Sequence, residues 1–95
     1  MIVKVATFRN SIDHLFRVVN VDYHACVGAA EMRNWQGTAR RVLAEVEGLE
    51  CKRANPGDRE QQRRSIEAVR ERLARSQERI AQLEAVARPA AGGLQ

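Results

Sequence analysis

From Ile66 to Ala87, apolar side chains recur in alternating steps of three and four through a stretch otherwise rich in Arg, Glu and Gln: Ile66, Val69, Leu73, Ile80, Leu83 and Ala87. This is the a/d pattern of a heptad helix, sustained over about three heptads within residues 59–88. A seam this narrow is not buried by its own helix; a second helix has to cover it, from the same chain or from another copy. Ser76 takes a d position in the seam. A polar break there is expected to set register at a cost in stability, so Ser76→Leu is expected to raise the melting temperature.

Upstream, Ile2-Val-Lys-Val-Ala-Thr-Phe8 is short and β-branched and reads as a strand or extended arm, within an arm spanning residues 1–9. Asn10 or Ser11 can cap a first helix over about 11–33, with Asp13 in its first turn. Ile12, Leu15, Phe16, Val19, Tyr23, Cys26, Val27 and Ala30 form its core stripe, although Val18-Val19-Asn20-Val21 also suits a strand and Gly28 weakens a helix interior, which leaves a break near Asn20 open. Asn34-Trp35-Gln36-Gly37 reads as a turn, with Gly37 free to take a positive φ. Thr38 then caps a second helix over about 39–51, with Ala39, Val42, Leu43, Val46 and Leu49 on its inner face. Asn55-Pro56-Gly57 stops it. Asp58 caps a third helix over 59–88, with Gln61 at the capping-box position. Pro89 ends that helix, and residues 89–95 have the composition of a frayed tail. The fold class is therefore all-α: one domain over residues 1–88, a small bundle of three helices with a long, coiled-coil-like C-terminal helix and a short N-terminal arm.

The third helix, roughly 45 Å long at 1.5 Å per residue, is about twice the length of the second. A hairpin of the two leaves half the seam bare, and this mismatch predicts an oligomer. Helix 1 supplies a second argument. Opposite its core stripe runs another line: His14, Val18, Val21, Ala25, Gly28, Ala29 and Met32. A helix apolar on two sides is normally buried on both. Val18, Val21, Ala25, Ala29 and Met32, together with the seam residues Ile66, Val69, Leu73, Ile80 and Leu83, are the expected oligomer or partner interface.

Candidate chemistry is sparse. His24 and Cys26 are two residues apart, so on a helix they point about 200° apart and cannot share a metal. No HxxxH, CxxC or HExxH spacing occurs, and there is no glycine-rich phosphate loop. Cys51 precedes Lys52 and Arg53, but at a helix C-terminus the dipole opposes thiolate formation. The expectation is a non-enzymatic protein with no catalytic residues, metal or cofactor. Two cysteines are too few for a disulfide framework, and Lys4 and Arg9 interrupt the apolar N-terminus before a signal-peptide core forms. No run approaches the roughly 20 apolar residues of a membrane span. A cytoplasmic protein without membrane contact is expected.

Charge offers one further surface. The chain has 16 basic and 12 acidic residues, a net charge of +4, and fourteen of the sixteen bases are Arg. Lys52, Arg53, Arg59, Arg63 and Arg64 gather around the Pro56-Gly57 turn, a positive tip suited to phosphates or an acidic partner. It lacks interleaved aromatics for base stacking and any helix-turn-helix signature. The pairs Glu60/Arg64, Glu71/Arg75 and Glu84/Arg88 stand at i,i+4 in the better orientation and support helicity by a few tenths of a kcal/mol each.

The tripeptide Trp35-Gln36-Gly37, followed by Ala39 and Val42, resembles the signature of the WXG100 secretion substrates. That resemblance implies a helical hairpin that dimerises and leaves the cell without a signal peptide. It covers about residues 12–46, while Pro56-Gly57, the N-terminal arm and the basic balance depart from the pattern. The leading expectation is a protein–protein interaction module (adaptor, assembly component or inhibitor) that partners itself and another protein. The alternatives are a small nucleic-acid-binding regulator dimerised by its coiled coil, and the secreted hairpin.

Overall fold

The computed structural model describes residues 1–87; Arg88 and the tail 89–95 lie outside the described residues. The chain is all-α. α1 (Val5–Arg17) runs without interruption into a π-helical turn (Val18–Asp22) and a last α-helical turn, α2 (Tyr23–Ala25). These form one rod. α3 (Ala29–Glu47) returns antiparallel to it, and α4 (Pro56–Ala87) turns back again along both.

The long helix is covered by its own chain. Arg70 meets Glu47 at 3.0 Å near one end, and Arg33 meets Glu84 at 2.6 Å near the other, so α3 lies antiparallel along most of α4. Val69 and Ile80 are buried, and Ile66, Leu73 and Leu83 are half-buried against the same core as Met32, Ala39, Val42 and Val46. The second helix, 19 residues, is longer than its sequence suggests though still shorter than the 32-residue α4, and together with the first rod it packs against the seam from Ile66 to Leu83. It starts ten residues earlier than expected, at Ala29 rather than 39, and runs through Trp35-Gln36-Gly37. No glycine among the described residues has a positive φ, and Gly37 is an exposed interior residue of α3. Burial of Met32, Trp35 and Gln36 on one face outweighs the cost of one glycine.

The first helix is correspondingly shorter than the expected 11–33. Cys26 and Gly28 are extended (φ −72°, ψ 121° and φ −138°, ψ 164°), which ends the rod and reverses the chain. At the other end, residues 5–8 are helix rather than extended arm, because Phe8 and Ile12 bury one face against Cys51 and Ala54. That burial overrides the β-branched local propensity. Only the first residues remain extended: Ile2 makes an isolated parallel bridge with Glu50, through Val3 N to Glu50 O and Glu50 N to Met1 O, both 2.7 Å.

α4 begins at Pro56 rather than 59. The side chain of Asn55 accepts the Asp58 amide at 2.7 Å, making Asn55 the N-cap and Pro56 the first helical residue. Asp58 sits in the first turn, where its charge suits the dipole, and pairs with Arg9 at 3.0 Å. The Pro-Gly pair thus starts α4 and does not stop α3, which ends at Glu47 rather than near 51, with Gly48 as its C-cap.

Candidate functional site

The surfaces that this chain can offer a ligand are set by two buried polar contacts. In the α3–α4 seam, Gln36 Nε2 donates to Ser76 Oγ at 2.7 Å, and that hydroxyl donates to Leu73 O at 2.6 Å. Both side chains are buried, and no buried side-chain polar atom among the described residues lacks a partner. The contact fixes the register of the two helices. It also reverses the expectation for Ser76, since a leucine there strands a buried amide.

The second contact joins α3 to the first rod. In the π turn the Val18 carbonyl takes the amide of Tyr23, five residues on, and also the Trp35 indole N–H at 2.8 Å. Val18 and Val19, both in this turn, are buried. Tyr23 packs edge-on to Trp35, centroids 4.8 Å apart, and the guanidinium groups of Arg72 and Arg79 lie 5.3 and 5.1 Å from its ring. Arg79 also donates to Cys26 O at 2.9 Å, a cation on the last carbonyls of the rod. Burial pushes the Cys26 thiol above its ordinary pKa; the Glu31 carboxylate adds to this, Arg79 opposes it, and Asp22 adds a little more.

This packing redistributes the expected interface. Val18 and Met32 are buried, not free; Met32 and Ala29, half-buried, belong to α3 and not to the helix of Val18. The seam residues Ile66, Val69, Leu73, Ile80 and Leu83 pack within the chain. Val21 and Ala25 alone of that set are exposed, Val21 by 55%. Phe16, expected in the core, is 59% exposed, and Val27 and Ala30 are exposed too. The π turn escaped the helical projection. No single residue announces it: Val18-Val19 is an adjacent buried pair of a kind that an ordinary helical stripe also holds, as Trp35-Gln36 is in α3.

Phe16 stands at the rim of a groove of about 470 Å³ between α1 and α4, floored by Leu15, Val19 and Ala68 and walled by Glu60 and Arg64. A second depression, of about 590 Å³, lies beside the extended N-terminus and is lined by Ile2, Val3, Lys4, Val5, Cys51, Lys52 and Arg53.

The basic tip is not one row of free cations. Arg63 bridges Glu60 and Glu67, and Arg64 reaches Glu60 at 3.3 Å. The bond from Arg63 pulls the Glu60 pKa down, and Glu60 in turn raises that of Arg63. Arg59 donates at 3.5 Å to Cys51 O. Lys52 and Arg53 are exposed and form no ion pair among the described residues. Of the expected helix pairs, Glu60/Arg64 and Glu71/Arg75 form, the latter at 2.8 Å; Glu84 reaches Arg33, and the pair Glu84/Arg88 falls on a residue outside the described ones. Among the described residues no group of three or more His, Cys, Asp or Glu is placed to hold a metal ion, and no helix is long and apolar enough to cross a membrane.

No protein-family model matches the chain, and neither does any curated protein or solved structure. The turn on which the resemblance to the WXG100 substrates rested is absent: Trp35-Gln36-Gly37 lies inside α3. What remains is the geometry of two surfaces, one apolar and one basic.

Proposed function

We propose that this protein is a non-enzymatic helical interaction module that associates with a second copy of itself through the α1/α4 groove. The observation that carries the reading is Phe16, a large aromatic side chain 59% exposed at the edge of an apolar floor made by Leu15, Val19 and Ala68. An aromatic beside a groove of this kind is self-complementary: about a twofold axis, each copy can offer its ring to the other. The walls support the same occupant. Glu60 and Arg64 carry opposite signs, so a twofold copy can set unlike charges across the contact. Partner proteins then read the paired surface, in the manner of an adaptor or assembly component.

Light scattering coupled to size exclusion tests this. The wild type is expected at twice the chain mass at micromolar concentrations, and Phe16→Glu at the mass of one chain with unchanged helical circular dichroism, because Phe16 contributes little to the monomer core. A wild type that runs as a single chain throughout that range overturns the reading.

A further inference from the structure

We infer that the depression beside residues 2–5 and 51–53 is a docking site for an extended acidic segment of another protein, paired to the backbone at Ile2 and held by Lys4, Lys52 and Arg53. It rests on residues separate from the α1/α4 groove and does not depend on dimer formation.

The bridge geometry supplies the backbone edge. In a parallel bridge centred on Ile2 and Glu50, the hydrogen bonds use Val3 N–H and Met1 C=O. The N–H and C=O of Ile2 itself point the opposite way, and neither has a backbone partner among the described residues. An extended segment can satisfy both by strand addition, whereas a helix has no free backbone groups to offer them. Apolar side chains of the depression, Ile2 (60% exposed), Val3 and Val5, accept alternate side chains of such a segment.

Charge selects the occupant. Lys4, Lys52 and Arg53 are exposed, form no ion pair among the described residues, and all line the depression. No acidic residue lines the depression among the described residues; Glu50 lines the neighbouring one with Lys52 and Arg59. A second copy of this chain would bring like charges together here. Nucleic acid fits less well than an acidic strand, because no aromatic ring is present to stack a base and the floor is aliphatic.

The test uses the full chain and a short fluorescein-labelled peptide alternating Glu with Val, read by anisotropy and by hydrogen exchange at the Ile2 amide. Saturable binding is expected, with the Ile2 amide protected on addition of peptide. Charge reversal by Lys52→Glu with Arg53→Glu should weaken binding by roughly tenfold or more, as loss of desolvated charge partners does. Ile2→Pro, which removes the outward N–H and keeps both bonds to Glu50, should weaken it by about as much. The same affinities should appear in a Phe16→Glu background, so a monomeric wild type leaves this result untouched. Absence of saturable binding overturns the site. So does binding that ignores both Ile2→Pro and the Ile2 amide, or a DNA duplex that binds more tightly than the peptide.

Discussion

Ser76 illustrates how a single polar residue changes meaning once its neighbour is known. In the heptad it is a defect; against Gln36 it is half of a satisfied buried pair. Leaving a buried amide unpaired costs about 1–3 kcal/mol. Leucine also adds volume to a fully buried site, so Ser76→Leu should lower stability by roughly that amount or more, read as a lower midpoint in urea. A raised midpoint would show that the pair does not form. Cys26 makes a pH-dependent prediction. Its folded pKa is raised, chiefly by burial, so the unfolded chain ionises first as pH climbs past the ordinary thiol value of about 9.0. The contribution of the neutral thiol is complete below that value and is lost as pH rises through the folded pKa. Stability measured by urea melts should therefore fall more steeply above that pH in the wild type than in Cys26→Ala.

Helices are the scale at which the sequence was most and least informative. The a/d seam of α4 was legible because its strict spacing stands out against Arg, Glu and Gln. Ile12, Leu15, Val19, Tyr23 and Cys26 likewise marked the buried face of the first rod, all of them buried in the fold. Boundaries were hidden where local chemistry and tertiary packing disagree. Ile2, Val3 and Val5 favour extended backbone, yet α1 begins at Val5 because Phe8 and Ile12 have a core to enter. The reversal at residues 26–28 has no proline to announce it, while Trp35-Gln36-Gly37 looks like a turn and is helix. At the basic tip the residues were visible but their pairing was not: Glu60 and Glu67 engage Arg63, while Lys52 and Arg53 form no ion pair among the described residues. Gly37 tests the continuity of α3. A Cβ built there meets nothing within 4 Å, and the backbone is helical. Gly37→Ala should stabilise the protein by about 0.5–1 kcal/mol, a rise of a few degrees in thermal midpoint for a domain of this size. A turn glycine with positive φ would give the opposite sign.

At the scale of the molecule, the account rests on closure of the α4 seam by α3 of the same chain. That closure leaves the surfaces proposed above for association, the Phe16 groove on one side and the Ile2 edge near the start of α1, outside the α3–α4 seam. Had the seam been open, a second α4 would be its natural partner and the α1/α4 groove would not exist in this form. Electron–electron dipolar spectroscopy decides between the two arrangements. Spin labels at Arg33→Cys and Glu84→Cys, in a Cys26→Ala, Cys51→Ala background, sit on an α3–α4 pair whose side chains meet at 2.6 Å in the native chain. Packed helix axes lie about 8–10 Å apart, so a single short label separation of roughly 25 Å or less is expected. It should persist unchanged when labelled protein is diluted into an excess of unlabelled chain. A short separation that vanishes on dilution, or one far longer than packed helices permit, contradicts the fold described.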